Sequence, residues 1–251
     1  MEKQYHIGID SSHGAAYAIL PGDPDRVEKI AAHLDEPRFL ARNREYTSWI
    51  GSLKSAQGAA CPVLVMSTGM GGPSTAIAVE ELYQCGVRNF IRVGTCGGMA
   101  LPVCGGDLVI ATGAIRMEGL SKEYVPVEFP AVANIDITNA LIAAAQKTGA
   151  NTHAGIVQSK DSFYGQHDPE RMPAGAELRS KWDAWKKAGA LASEMECAAL
   201  FIVSQILGAR TGAVLSVMWN QERARAGLDN PACADPDLAM RAAVEAVRML
   251  L

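Results

Sequence analysis

Short runs of apolar, β-branched residues alternate along this chain with longer segments whose apolar positions recur at helical spacing. Tyr17 to Leu20 is such a run, and Pro21-Gly22 ends it. Asp23-Pro24-Asp25-Arg26 then carries a helix-start signature, with Asp23 as the capping side chain and Pro24 at the first helical position. Val27, Ile30, Ala31 and Leu34 give that helix one apolar face. Arg44 to Leu53 reads as a strand and Val63 to Ser67 as a buried strand. Pro73 to about Cys85 reads as a helix stopped by Gly86.

The central stretch runs from Phe90 to Ile110. Asn89 to Val93 predicts a buried strand, Thr95-Cys96-Gly97-Gly98 a loop of little bulk, and Asp107 to Ala111 the next strand. Ile137 to Lys147 predicts a helix stopped at Gly149, and Ala154 to Gln158 a strand. Lys160 to Ala176 is polar and contains proline, which suggests a long functional loop. Ser193 to Leu207 predicts a helix, Thr211 to Val217 a strand, and Pro236 to Leu250 a closing helix. Strands alternating with helices imply an α/β fold with a mostly parallel mixed sheet flanked by helices. No repeat, linker or low-complexity run divides the sequence, so residues 1–251 are expected to form a single domain.

Composition adds boundaries. Apolar residues make up 49% and aromatic residues 6% of the 251, as in a globular protein. A formal charge of −4 gives no electrostatic footprint for nucleic acid or an anionic membrane. No run approaches the ~18–20 apolar residues of a membrane span, and no signal-sequence pattern opens the chain, so the cytoplasm is the expected location. The six cysteines form no C-x-x-C pair, which fits thiols in a reducing compartment better than a metal site or a disulfide framework. Cys96 is either reactive in its loop or buried and inert.

Several segments could carry chemistry. Arg92 in an apolar strand is costly to bury unless an anion or a salt-bridge partner meets it. With Thr95 and the loop amides it would make an anion site at a strand's carboxyl end, or else a glycine-rich turn with a salt-bridged arginine. Gly22 before a helix start and Arg26 in its first turn suit phosphate, or an ordinary capped helix. Gly69-Met70-Gly71-Gly72 before a helix lacks the third glycine and the later acid of a dinucleotide site, and no triphosphate loop is present. Glu194 and Glu196 could line a pocket rim near a sugar, or serve as helix-start acids. Phe163 offers a ring to stack on a flat ligand, and the Gln166 amide matches the N–H and C=O edge of a pyrimidine. His6 and His13 have no metal-ligand spacing.

Taken in order, L-P-G-D-P-D-R-V-E-K-I, N-R-E-Y-T-S-W, S-T-G-M-G-G-P-S-T-A-I-A-V-E-E-L, R-V-G-T-C-G-G, V-E-F-P-A-V-A, K-D-S-F-Y-G-Q-H and S-E-M-E span nearly the whole chain. Together they resemble the uridine phosphorylases, in the trimer- and hexamer-forming branch of the nucleoside phosphorylase superfamily. W-N-Q-E-R (Trp219 to Arg223) resembles one bacterial subgroup of them. The resemblance implies phosphate binding by Gly22, Arg26, Arg92 and Thr95, with Arg44 reaching the phosphate of a neighbouring subunit. It implies ribose binding by Met195 and Glu196, with His6 from the neighbour, and base binding by Phe163 and Gln166. Glu45, Met70 and Ser74 match positions that hold a monovalent cation, potassium, at a subunit interface in some members.

Two positions depart from the pattern. Asp168 stands where many members have an arginine, so Arg171 or Lys181 is the expected replacement, Arg171 first because it lies closer. Trp219-Asn220 stands where purine-specific relatives have an aspartate, which argues against purines. The implied activity is cleavage of uridine by phosphate to uracil and ribose 1-phosphate, with Arg92, Gln166 and Glu196 as catalytic residues. Phosphate is a co-substrate, no further cofactor is needed, and the assembly is a homo-oligomer built of dimers, either a hexamer or the dimer itself. The alternatives are a phosphorylase of other base specificity, a nucleosidase using water, and a non-catalytic storage or binding relative.

Overall fold

A strand that is apolar at every position must be covered on both faces, because successive side chains point to opposite sides. Strand β1 (Tyr17–Pro21) is buried throughout. Its Ala18 and Leu20 pack in one cluster with Leu64, Met66 and Phe90, while Tyr17 and Ile19 join another with Val63, Val65 and Ile91. These clusters are the two sides of one sheet. In the computed structural model, which describes residues 2–251, the sheet has ten strands.

After β1 come α1 (Asp25–Ala31), β2 (Asp35–Asn43), β3 (Tyr46–Lys54), β4 (Ala60–Met66) and α2 (Gly72–Gln84). The middle of the chain forms β5 (Asn89–Gly98), β6 (Leu108–Met117), α3 (Leu120–Tyr124), β7 (Ala131–Val132), α4 (Ile135–Lys147) and β8 (Thr152–Lys160). The last third adds α5 (Phe163–His167), α6 (Gly175–Lys187), β9 (Ala192–Glu194), α7 (Cys197–Ile206), β10 (Arg210–Asn220), α8 (Gln221–Arg225) and α9 (Asp237–Leu250). Helices α2 and α7 supply Val79, Leu82, Leu200 and Phe201 to the first cluster; α1, α4 and α9 supply Ile30, Leu141 and Val247 to the second.

Strand β5 is the hub. It pairs in parallel with β1 and β10 and antiparallel with β9. Since β10 also pairs with β6, β6 with β8, and β8 with β9, strands β5, β10, β6, β8 and β9 close a ring. Parallel β1–β4 and the antiparallel β2–β3–β4 ladder extend the sheet from its other side. The expected α/β sheet flanked by helices is therefore present, with antiparallel strands at its edge and at the ring closure.

Local expectations needed correction where distant pairing decides. Thr95 to Gly98 is strand, not loop: Cys96 pairs with Val217, Gly98 with Asn220, and Gly97 with both Trp219 and Ser193. The segment from Ala192 enters as a short strand, and its helix begins only at Cys197. Helix α1 begins at Asp25 rather than Pro24, although Asp23 Oδ1 still accepts the Asp25 amide at 2.9 Å. Arg44 belongs to the β2–β3 turn at φ 55°, and the expected loop from Lys160 contains α5 and a 3-10 turn, Pro169–Arg171.

Candidate active site

On β5 positions 92, 94 and 96 share one face, and Gly94, which has no side chain, makes room for its neighbour. A Cβ there would lie 2.8 Å from both Arg92 Nη2 and Leu215 Cδ2. Arg92 is 5% exposed, and its Nη2 donates a short hydrogen bond to Glu196 Oε2 across 104 residues of sequence. Its Nε stands 3.3 Å from Glu194 Oε2 but lacks the alignment of a hydrogen bond. Burial works against the guanidinium's charge, yet Glu196 and Glu194 outweigh it and hold the pKa above its ordinary value. Burial pushes the Glu196 carboxyl up, opposed by Arg92 and by the Gly71 amide, which donates to Oε1 at 2.7 Å.

The two acids divide their work. Glu194 accepts from the Glu196 and Cys197 amides, at 2.8 and 2.9 Å, and from Ser159 Oγ, so it satisfies the start of α7. Glu196 instead bridges Arg92 and the turn before α2. In that turn Gly69 and Gly71 have φ of 71° and 91°, a region that favours glycine. The register Leu20↔Arg92 and Pro21↔Val93 sets Gly22 beside Gly94. A Cβ on Gly22 would lie 3.0 Å from Gly69 O, so the bare backbone is needed for close approach. Gly22, the 69–72 turn, Arg92 and Glu196 thus meet at the carboxyl end of β1, beside the middle of β5. Arg26 follows in the first turn of α1 with Nε 3.7 Å from Asp23 Oδ2, and Thr95 is half-buried opposite Ser216. Met195 is half-buried between β9 and α7.

Next to this cluster is a cavity of about 520 Å³ walled by β8, α5, α6 and α8. Gln158, Lys160, Gln166, His167, Trp182 and Gln221 are among its lining residues. Gln166 Nε2 donates to Gln221 Oε1 at 3.3 Å, and Gln166 Oε1 lies 2.6 Å from Ser193 Oγ. Lys160 is 4% exposed and donates to the same Ser193 hydroxyl at 2.6 Å. Burial lowers the Lys160 pKa to about 8, against the pull of Glu194 and Glu196. Burial, then Lys160 and Arg225, holds the His167 imidazole below its ordinary value.

The other base-pocket expectations fare differently. Phe163 does not line the cavity; it is 51% exposed, with its ring 4.4 Å from that of His167. Arg171 is also off the cavity wall, its Nε 3.1 Å from Asp168 Oδ2 on the surface, and Lys181 pairs with Glu177 one helical turn away. Asn220 needs a second correction. Its Oδ1 accepts the Glu222 and Arg223 amides and its Nδ2 donates to Ala100 O and Val103 O, so it caps α8 and stays off the cavity wall. The residue of that segment in the cavity wall is Gln221. Cys96 is buried, which raises its thiol, as does Glu194; all six cysteines are unpaired.

His6 and Arg44 come together elsewhere. His6 Nδ1 lies 2.6 Å from Glu81 Oε1 on α2, and Asn43 Nδ2 donates to His6 O at 2.8 Å. Arg44 Cζ stands 5.8 Å from the Tyr5 ring, itself edge-on to His6 at 4.8 Å. Among the described residues, no hydrogen bond or ion pair joins either to Arg26, Arg92 or Glu196. Glu45, Met70 and Ser74 converge on Gly69: Ser74 Oγ donates to Met70 O at 3.1 Å, and a Cβ on Gly69 would lie 3.0 Å from Glu45 Cγ. A carboxylate, a hydroxyl and a carbonyl are hard oxygen donors that fit an alkali cation rather than a soft metal. Among the described residues, no group of three or more His, Cys, Asp or Glu is placed to hold a metal.

Gln158, Lys160, Ser193 and Gln221 were not singled out from the sequence. The signal for two of them was present, because positions 158 and 160 of a strand share a face and both are polar beside an apolar run.

Comparison with known proteins matches this arrangement to one family. The model of the Phosphorylase superfamily covers residues 16–251. A uridine phosphorylase of Treponema pallidum is 53% identical over 99% of this chain and 94% of its own length. The Escherichia coli uridine phosphorylase is 40% identical over 98% of both chains. A guanosine phosphorylase of Halorubrum lacusprofundi is 39% identical over 88% of this chain and 85% of its own. With a family model over residues 16–251 and near-full-length relatives at these identities, the chain belongs to the phosphorylase superfamily.

Proposed function

We propose that this protein is a uridine phosphorylase, cleaving uridine with phosphate to give uracil and ribose 1-phosphate. The observation that carries the reading is the pairing of a buried Arg92–Glu196 bridge with an adjoining cavity whose wall presents the Gln166 amide. Phosphate would sit where Gly22, Arg26, Arg92 and Thr95 face the strand ends, and an oxygen of it would attack the anomeric carbon. Glu196, with Met195, would hold the ribose hydroxyls and favour positive charge on the ring. Gln166 would accept from the uracil N–H and donate to a carbonyl, a pairing that cytosine cannot reproduce. Preorganised hydrogen bonds, rather than a protein nucleophile, lower the barrier.

The same reading makes the protein a cytoplasmic homo-oligomer in which His6 and Arg44 serve a neighbour's site. A potassium ion at Glu45, Met70 and Ser74 would tie that interface. The related guanosine phosphorylase and the roominess of the cavity favour purine nucleosides as the second reading. One assay separates them: uracil or purine base released from uridine, cytidine, inosine and guanosine, with and without phosphate. Uridine cleaved only with phosphate is the expected result. A preference for inosine or guanosine would leave the phosphorolysis standing and overturn the base assignment, and cleavage without phosphate would make the enzyme a nucleosidase.

A further inference from the structure

Two chains of amide contacts run toward one hydroxyl in the cavity wall. The first starts at Glu222, an ionised carboxylate that can only accept. Its Oε1 takes Trp182 Nε1 at 2.9 Å, and Gln221 turns Nε2 toward the same oxygen at 3.5 Å, which leaves the Gln221 oxygen facing Gln166. Gln166 meets that oxygen with its own Nε2 at 3.3 Å, so its Oε1 faces Ser193 Oγ at 2.6 Å. The second chain starts at the thioether of Met117, a weak acceptor and no donor. Gln158 Nε2 lies 3.0 Å from that sulfur, and so the Gln158 oxygen also faces Ser193 Oγ.

A hydroxyl has one proton to give. Lys160 adds none for the glutamines, because its ammonium donates to Ser193 Oγ itself. One proton therefore serves two amide oxygens. Gln158 is 1% exposed and Gln166 half-buried, so the Gln166 oxygen is the one that can turn to whatever fills the cavity, water at first and the base afterwards. A base that displaces water without bringing an N–H leaves that oxygen unpaired, which is costly away from solvent.

Resting on the uridine reading, we propose that Gln158 is a specificity-determining residue that acts through Ser193. By holding the Ser193 proton it leaves the Gln166 oxygen to be satisfied by the base, so the site takes a ring with an N–H and turns away one without. Gln158 itself touches no substrate in this arrangement; it positions the proton that Gln166 would otherwise accept.

The test compares uridine with N3-methyluridine, in which a methyl group replaces the ring N–H. Wild type is expected to favour uridine. In Gln158→Met the Ser193 proton is free to turn to Gln166, and the N–H is needed less. The kcat/KM ratio of uridine to N3-methyluridine is expected to fall about 10-fold, through a raised uridine KM and with the phosphate KM unchanged. Ser193→Ala, which removes the contested proton, is expected to slow both substrates and keep the wild-type ratio. Gln158→Leu repeats the first comparison where the methionine variant does not fold. Equal losses on both substrates in the Gln158 variants, or a ratio that falls as far in Ser193→Ala, would show a packing role and overturn the proposal while the uridine reading stands. Wild-type protein that ignores uridine and cleaves inosine would overturn both.

Discussion

Removing Arg92 tests the site and its electrostatics in one variant. Arg92→Ala takes the guanidinium from between Glu196 and Glu194, which are 4% and 3% exposed. Breaking a buried ion pair from one side costs about 3–5 kcal/mol. Glu196 can relieve part of that by protonating, since burial already raises its pKa. A carboxyl raised in the folded state binds its proton there before it does in the unfolded chain. Stability therefore falls as pH rises from the ordinary glutamate value of 4.5 toward the raised one. The variant's deficit is thus expected to be smaller at about pH 5 than at about pH 8, and the uncompensated carboxylate is expected to cost about 3 kcal/mol where it is ionised. At roughly 2–4 °C per kcal/mol for a chain of this size, the Tm at the higher pH should drop by about 6–12 °C. The bond to phosphate that the proposed function gives Arg92, worth ~1.5–3 kcal/mol, should cost at least about 10-fold in rate at limiting phosphate when lost. Thermal unfolding at both pH values and uracil release against phosphate concentration measure the two effects. An unchanged phosphate KM, together with a Tm deficit that does not grow with pH, would refute the reasoning.

Further predictions follow from single contacts. Gly94→Ala places a methyl 2.8 Å from Arg92 Nη2 and Leu215 Cδ2, so about 1–3 kcal/mol of stability and much of the phosphate affinity should go; retention of both in denaturation and kinetic assays would contradict the packing. Asn220→Asp removes the donors to Ala100 O and Val103 O. It should destabilise by about 1–3 kcal/mol per orphaned carbonyl without creating inosine cleavage; a gain of purine activity would restore Asn220 to the base pocket. Mixing inactive Arg44→Ala with inactive Glu196→Ala subunits should restore some activity; no rescue after confirmed subunit exchange would argue that sites are not shared.

What the sequence determined, it determined through local rules. Strand β1 and helices α2, α4 and α9 were legible because apolar periodicity and glycine stops are properties of neighbouring residues. The ordered motifs likewise picked out Gly22, Arg92 and Glu196, which the fold brings together, and Gln166, which it sets in the cavity wall. Strand β2 was not legible: D-E-P-R-F-L-A-R-N is exposed, has no alternation and contains a proline, as edge strands tolerate. Helix α6 was missed too, since only Gly175 and Trp182 of it are buried and no apolar stripe marks it.

Tertiary structure alone decided the rest. Gly97 and Gly98 have poor strand propensity, yet ladders to β9 and β10 hold them extended, because pairing outweighs a preference of less than about 1 kcal/mol per residue. Asn220 looked like a substituted catalytic acid and proved to be a helix cap, a role set by the carbonyls of Ala100 and Val103 more than a hundred residues away. Arg92 had an anion site and a salt bridge as alternatives in sequence; the fold supplies the salt bridge through Glu196 and Glu194 and leaves Nε without a hydrogen bond.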